Sequence, residues 1–251
     1  MMGYNSSLFF ELSIAGLIIG FISGFFGIGG GTLLVPTLMY FGFTIKYAIG
    51  ISVMQMVFSS IFGSYLNLKS GKFQIKDGLL LGVGGFVGAQ GSGFLVNYLS
   101  STILSTIFIF SVCLAIFKFF KSSPESNLPE VKSKLLLFGV GFFVGLIAIS
   151  VGIGGGLFLT PILIGFMNYD IKKAISMSLF FIIFSSVSGF ISLSQFGYID
   201  YRIGFIVGFS SLLGVFLGIK SSHNLDKKKH KTLLLGLYFV ILIMTLNKLY
   251  F

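Results

Sequence analysis

Apolar residues run almost unbroken over 8–27, 32–43, 47–67, 78–98 and 102–117, and again over 135–151, 157–167, 174–195, 203–219 and 232–247. Between them lie short polar breaks. One long polar stretch, KFFKSSPESNLPEVKSK at 118–134, falls mid-chain. Membrane-barrel strands alternate apolar and polar residues over about ten positions. These runs do neither, so the pattern predicts helices, most of them near the roughly 20 residues of a bilayer crossing. The runs 32–43 and 157–167 are too short. At about 1.5 Å per residue they reach roughly 16–18 Å, against a hydrocarbon core of about 30 Å. They read as half-membrane helices.

The two sets of five runs match each other. Gly27-Ile28-Gly29-Gly30-Gly31 reappears as Gly152-Ile153-Gly154-Gly155-Gly156, and a proline follows five residues later in both, Pro36 and Pro161. Further on, Lys46, Ser52, Ser59, Gly63, Gly78 and Gly88 meet Lys172, Ser178, Ser185, Gly189, Gly204 and Gly214 at a constant offset of 126. The chain is an internal duplication, with a first repeat over 8–117, a linker over 118–134 and a second repeat over 135–250. An odd number of segments per repeat makes the second enter the membrane from the opposite side. The expected fold is therefore an all-α polytopic membrane protein of two inverted repeats, each with a short half-helix preceded by glycines.

Composition agrees. The chain is 55% hydrophobic and 10% charged, too few charges to cover a water-soluble globule, which carries about 25%. Cys113 stands alone, which excludes a disulfide framework and a cysteine metal cluster. It reads as a small buried hydrophobe. The net charge of +10 reads as loop lysines of a membrane protein, with no nucleic-acid partner implied.

The lysines set a topology. If the first two segments of each repeat go in and come back, one face collects Lys69, Lys72, Lys76, Lys118, Lys121, Lys132, Lys134, Lys172, Lys173, Lys220, Lys227, Lys228, Lys229 and Lys231. The other face holds Lys46, Arg202 and Lys248. If each pair were one broken crossing, the bias would vanish. The positive-inside rule selects the first arrangement. It puts the linker in the cytoplasm and both termini outside a multi-pass cell membrane protein.

Candidate chemistry gathers at the glycine runs. Short, Gly-interrupted segments at matching places in two halves point to a transporter binding site. Glycine lets a ligand approach the backbone, and the helix that follows offers N–H groups and a dipole favouring an anion. The candidates are Gly29, Gly30, Gly31 and Thr32 with Gly154, Gly155 and Gly156. To these the third and eighth segments add Ser52, Gln55, Ser59, Ser178 and Ser185. Ser52, Gln55 and Ser59 share one helix face, and Gln55 stands out. Glycines 78, 82, 84, 88, 204, 208, 214 and 218 read as helix-packing positions. All seven acidic residues lie in loops or near segment ends, and both histidines fall in the basic stretch before 232, where they read as solvated. A mid-membrane metal site, acidic proton relay or catalytic base therefore has no residues to build it. No cofactor and no enzymatic activity are expected.

FISGFFGIGGGTLLVP (21–36) and its echo FFVGLIAISVGIGGGLFLTP (142–161) resemble the paired signature of the TauE/SafE sulfite exporter family. The resemblance extends over roughly 10–250. It implies a small two-repeat membrane transporter moving sulfite, sulfonates, thiosulfate or related small organosulfur anions. A passive anion channel, or a membrane assembly protein without transport, remains an alternative reading of the residues.

Overall fold

The structure, a computed structural model, describes residues 6–69, 75–121, 129–131, 133–223 and 225–250. Among these the chain is all helical: α1 (Ser6–Phe26), α2 (Gly31–Tyr40), α3 (Ile45–Lys69), α4 (Ile75–Ala89), α5 (Ser92–Tyr98), α6 (Ser101–Lys121), α7 (Lys134–Ser150), α8 (Gly156–Gly165), α9 (Ile171–Gln195), α10 (Tyr201–His223) and α11 (Lys227–Tyr250). Among the described residues, seven stretches are long and apolar enough to cross a bilayer, while α2, α7 and α8 are shorter. Three aspartates at segment ends turn out to be helix starts. Asp170, Asp200 and Asp226 accept from the backbone N–H of Lys172 (2.9 Å), Ile203 (3.1 Å) and Lys228 (3.1 Å). Each carboxylate takes up a donor that the first turn leaves unpaired.

Glycines set the closest helix pairs. In α1, Gly20 and Gly24 lie against the backbone of Ser211 and Val215 in α10, while Gly214 and Gly218 of α10 lie against Leu17 and Phe21. The two helices therefore run parallel. The same construction joins α7 to α4: Gly141 and Gly145 meet Leu81 and Gly85, and Gly84 and Gly88 meet Phe138 and Phe142. A side chain at any of these positions would strike a carbonyl or main-chain atom, the small-residue packing typical of membrane helices. Between these pairs lie α3 and α9, packed against each other and largely buried.

Both short helices turn back. From Gly31, α2 runs to Tyr40, whose hydroxyl donates to the Met244 carbonyl (3.1 Å) near the end of α11. From Gly156, α8 runs towards Phe166, which lies under the ammonium of Lys118 near the end of α6 (4.3 Å to the ring centroid). The residues just after it pair with the chain before α7, the Val131 N–H donating to the Met167 carbonyl (3.0 Å). Each half-helix thus returns to the face from which its long partner started. We call the face with Lys118, Glu130 and Lys172 the linker face.

Three expectations need correction. The run 78–98 is not one helix but α4 and α5, broken at Gln90–Gly91; Ser192 of α9 bridges the break, donating to the Gln90 carbonyl (2.7 Å) and accepting from the Gly93 N–H (3.0 Å). Cys113 is exposed on the outside of α6. His230 is fully buried, because Asp226 starts α11 early enough to carry it into the bundle. There it stacks on Phe25 (5.1 Å between centroids) and meets Phe26 edge-on (5.3 Å). The side chain of His223, and Lys72 and Lys132 altogether, lie outside what the structure describes.

Candidate functional site

The two glycine loops meet each other. Gly27 (φ +67°) and Gly29 (φ +78°) reverse the chain between α1 and α2. Gly152, Gly154 and Gly155, with φ of +73°, +80° and +90°, do the same between α7 and α8. This left-handed backbone is open to glycine at little cost. Gly31 lies against the Gly152 carbonyl, and Gly156 against the Gly27 carbonyl, which would be 2.5 Å from a Cβ there. The half-helices begin at Gly31 and Gly156, so two helix N-termini converge in the core.

Hydroxyls tie the loops together. Ser52 of α3 donates to the Gly152 carbonyl (3.0 Å) and Thr32 to the Ile153 carbonyl (3.4 Å). Met56 sits between the loops, its sulfur against both Gly29 and Gly154. Beside the start of α2, the amide of Gln55 touches Gly30. It is fully buried, and neither its oxygen nor its nitrogen has a hydrogen-bond partner. Leaving such a group unpaired costs about 1–3 kcal/mol.

The matching place at the other loop differs. Phe181, at the offset of 126 from Gln55, presents its ring edge to Gly155 at the start of α8. A ring edge carries the positive end of the aromatic quadrupole, so both surroundings suit negative charge without a formal cation. The convergence therefore offers two helix dipoles, one amide and one ring edge, packed against Met56 and Ile182.

Of the residues singled out from the sequence, the structure gathers Gly29, Gly30, Gly31, Thr32, Ser52, Gln55, Gly154, Gly155 and Gly156 at this point. Ser178 instead pairs with Thr160 (3.1 Å) within the second half. Ser59 and Ser185 direct their hydroxyls at carbonyls of their own helices, Met56 (3.4 Å) and Phe181 (3.3 Å). Met56 and Phe181 were missed. Apolar side chains in an apolar run look like core, and only the offset linking Phe181 to Gln55 could have marked one of them.

A bundle of apolar helices, with two broken pairs whose N-termini meet inside it, defines a multi-pass membrane protein built like a transporter. The model of the family described as sulfite exporter TauE/SafE matches residues 12–245, and the chain belongs to that family. It is 32% identical to a probable membrane transporter protein of Methanocaldococcus jannaschii, over 89% of this chain and 90% of that one. It is 27% identical to the probable membrane transporter protein YdhB of Bacillus subtilis, over 84% and 89% of the two chains. With the probable membrane transporter protein YfcA of Escherichia coli K12, identity is 23% over 92% and 85%.

Proposed function

We propose that this membrane transporter is a secondary carrier of a small sulfur-containing anion: sulfite, a sulfonate, thiosulfate or a related organosulfur compound. Access would alternate about the two glycine loops. The observation that carries this reading is the Gln55 amide, buried, unpartnered and set against the first turn of α2. Its N–H groups are donors, as are the unspent N–H groups of a helix start. The two helix starts each contribute roughly half a positive charge, enough together to offset about one anionic charge. Gly29, Gly30, Gly31, Thr32, Ser52, Gln55, Gly154, Gly155 and Gly156 form the binding centre, with Ser59, Ser178 and Ser185 on the helices that hold it.

We read the architecture as two inverted repeats, 8–117 and 135–250, joined by a cytoplasmic linker over 118–134. The parallel pairs α1–α10 and α4–α7, with glycines at matching positions, support this. So does the reciprocal contact of Gly31 with Gly152 and Gly156 with Gly27. In this reading the termini lie outside the cytoplasmic membrane, and rocking of one repeat against the other exchanges access.

The test is flux of labelled sulfite, taurine and thiosulfate in proteoliposomes, followed by counterflow. Saturable uptake that is accelerated by the same anion on the far side supports the carrier. Unsaturable flux without counterflow would make the protein a channel, and no flux of any sulfur anion would remove the substrate class.

A further inference from the structure

A cleft of about 450 Å³ lies where the end of α2, the starts of α3 and α6, and the end of α11 come together. Since α6 runs from here to Lys118, the cleft belongs to the face opposite the linker. Its wall is graded. Thr44, Ser101, Thr102 and Ser105 supply hydroxyls and Lys248 an ammonium, and the lining contains no carboxylate. Ile109, two turns along α6 from Ser101, makes the wall apolar together with Met39 and Phe43. The change from polar to apolar takes about 12 Å of helix. Ile103 and Phe110 of α6 and Ile243 and Leu246 of α11 are exposed, so both helices border lipid.

The polar groups here are not spent on the protein. Ser105 is only 4% exposed yet lines the cleft. On the same helix, Thr106 and Ser111 return their hydroxyls to carbonyls one turn back (2.9 and 2.6 Å), a bond that Ser105 does not make. The Lys248 ammonium lies over the Tyr40 ring (5.7 Å), which leaves donors of a three-donor group to spare. The starts of α3 and α6 add dipoles that favour negative charge.

The duplication supplies a comparison. Phe166 matches Tyr40 at the offset of 126 and lies under Lys118 as Tyr40 lies under Lys248. At the same offset, Ser101, Thr102 and Ser105 match Lys227, Lys228 and Lys231, and Thr44 matches Asp170. The sequence thus gives the linker-face corner a carboxylate along with its lysines. The opposite corner sets a cation among hydroxyls without one.

We propose that this cleft binds an anionic glycerophospholipid of the leaflet opposite the linker. Lys248 and the hydroxyls of Ser101, Thr102 and Ser105 hold the phosphate, and an acyl chain starts along Ile109 and Met39. Charge-assisted hydrogen bonds select the anionic head, as basic pockets between membrane helices do. The graded wall favours a lipid over a soluble anion, which needs no apolar part. The lipid spans α2, α6 and α11 and so braces the end of the half-helix whose start forms the first glycine loop. The site is independent of which anion the protein carries.

The test reads the cleft directly. In a Cys113→Ser background, Thr102→Cys, at an exposed position, is labelled with uncharged N-ethylmaleimide in a neutral detergent. Phosphatidylglycerol should slow the labelling several-fold, and phosphatidylcholine of the same chains should not. Tyr98→Cys, exposed nearby but outside the cleft, should be unprotected. Lys248→Gln should raise the phosphatidylglycerol needed for protection about fivefold, the worth of one lysine beside an anionic lipid, and Lys248→Arg should preserve it. Equal protection by phosphatidylcholine, no protection by either lipid, or protection unmoved by Lys248→Gln overturns the anionic-lipid site. Protection of Tyr98→Cys to the same extent makes the effect a general one of the surface and overturns it too. Protection by inorganic phosphate at the same concentration makes the cleft a site for a free oxyanion and overturns the lipid.

Discussion

The carbonyl of Gly152 occupies the space a methyl group on Gly31 would need, whereas a methyl on Gly30 would meet only the end of the Gln55 side chain. Adjacent glycines of one loop are thus constrained for different reasons. Gly31 is held by rigid backbone from the other half of the molecule. Gly30 has φ −65°, which any residue adopts, and a neighbour that can swing aside.

Gly31→Ala should therefore destabilise the protein, by about 2–3 kcal/mol as overpacking of a tight core does. Gly30→Ala should fold almost normally yet lose most anion flux, because it displaces the Gln55 amide. Thermal unfolding in detergent, run beside flux in proteoliposomes, separates the two. Equal loss of stability in both variants would make the whole loop a packing device and remove Gly30 from the site.

Gln55 gives the converse case. Replacing an unpaired buried amide with an apolar side chain of similar length relieves a desolvation cost of about 1–3 kcal/mol. Gln55→Met should thus raise the melting temperature by a few degrees while abolishing flux of every sulfur anion carried. A variant that is less stable than the parent would show that the amide is paired in the folded protein, and a stable variant with normal flux would show that it does not touch substrate.

These contrasts mark what could be read from the sequence. The starts of α2 and α8 at Gly31 and Gly156 were legible, since a glycine run before a too-short apolar stretch leaves few other places for a helix to begin. The break at Gln90–Gly91 was not, because Ser192, about a hundred residues away, takes up the freed backbone groups. Cys113 was misplaced for a different reason. A bilayer is as apolar as a core, so the outer face of α6 carries no polar stripe to mark it. His230 was hidden by the lysines around it, and only Asp226, as the start of α11, revealed that the helix includes it.

The orientation proposed from the lysine bias has a direct check. With the exposed Cys113 replaced by serine, a cysteine at Ser100 in the α5–α6 turn should react with an impermeant thiol reagent added to intact cells. A cysteine at Lys228, exposed at the start of α11, should resist it until the cells are opened. Both positions lie on the surface, on opposite faces of the bundle. The reverse pattern would invert the topology and place the 118–134 linker outside.

The groups around the glycine loops do not titrate near neutral pH. Those in closest contact are the side chains of Val35, Ser52, Gln55, Met56, Val144, Ile175, Phe181 and Ile182, with backbone from Ile49 and from the opposite loop. A sulfonate stays ionised across this range, so its binding by amide and backbone N–H groups should not depend on pH. Initial sulfonate flux at matched internal and external pH, without a membrane potential, should therefore stay flat between about pH 6 and 8, where an ordinary histidine would change charge. His230 stacks on Phe25 and meets Phe26 edge-on, the residues just before Gly27. If a steep transition appears near pH 6–7 and disappears in His230→Gln, protonation there reaches the loop through Phe26, and the uncharged-site account fails. If it survives His230→Gln, the titrating group lies elsewhere, and the account fails in the same way. A flat profile in both proteins leaves binding to the backbone, the amide and the hydroxyls.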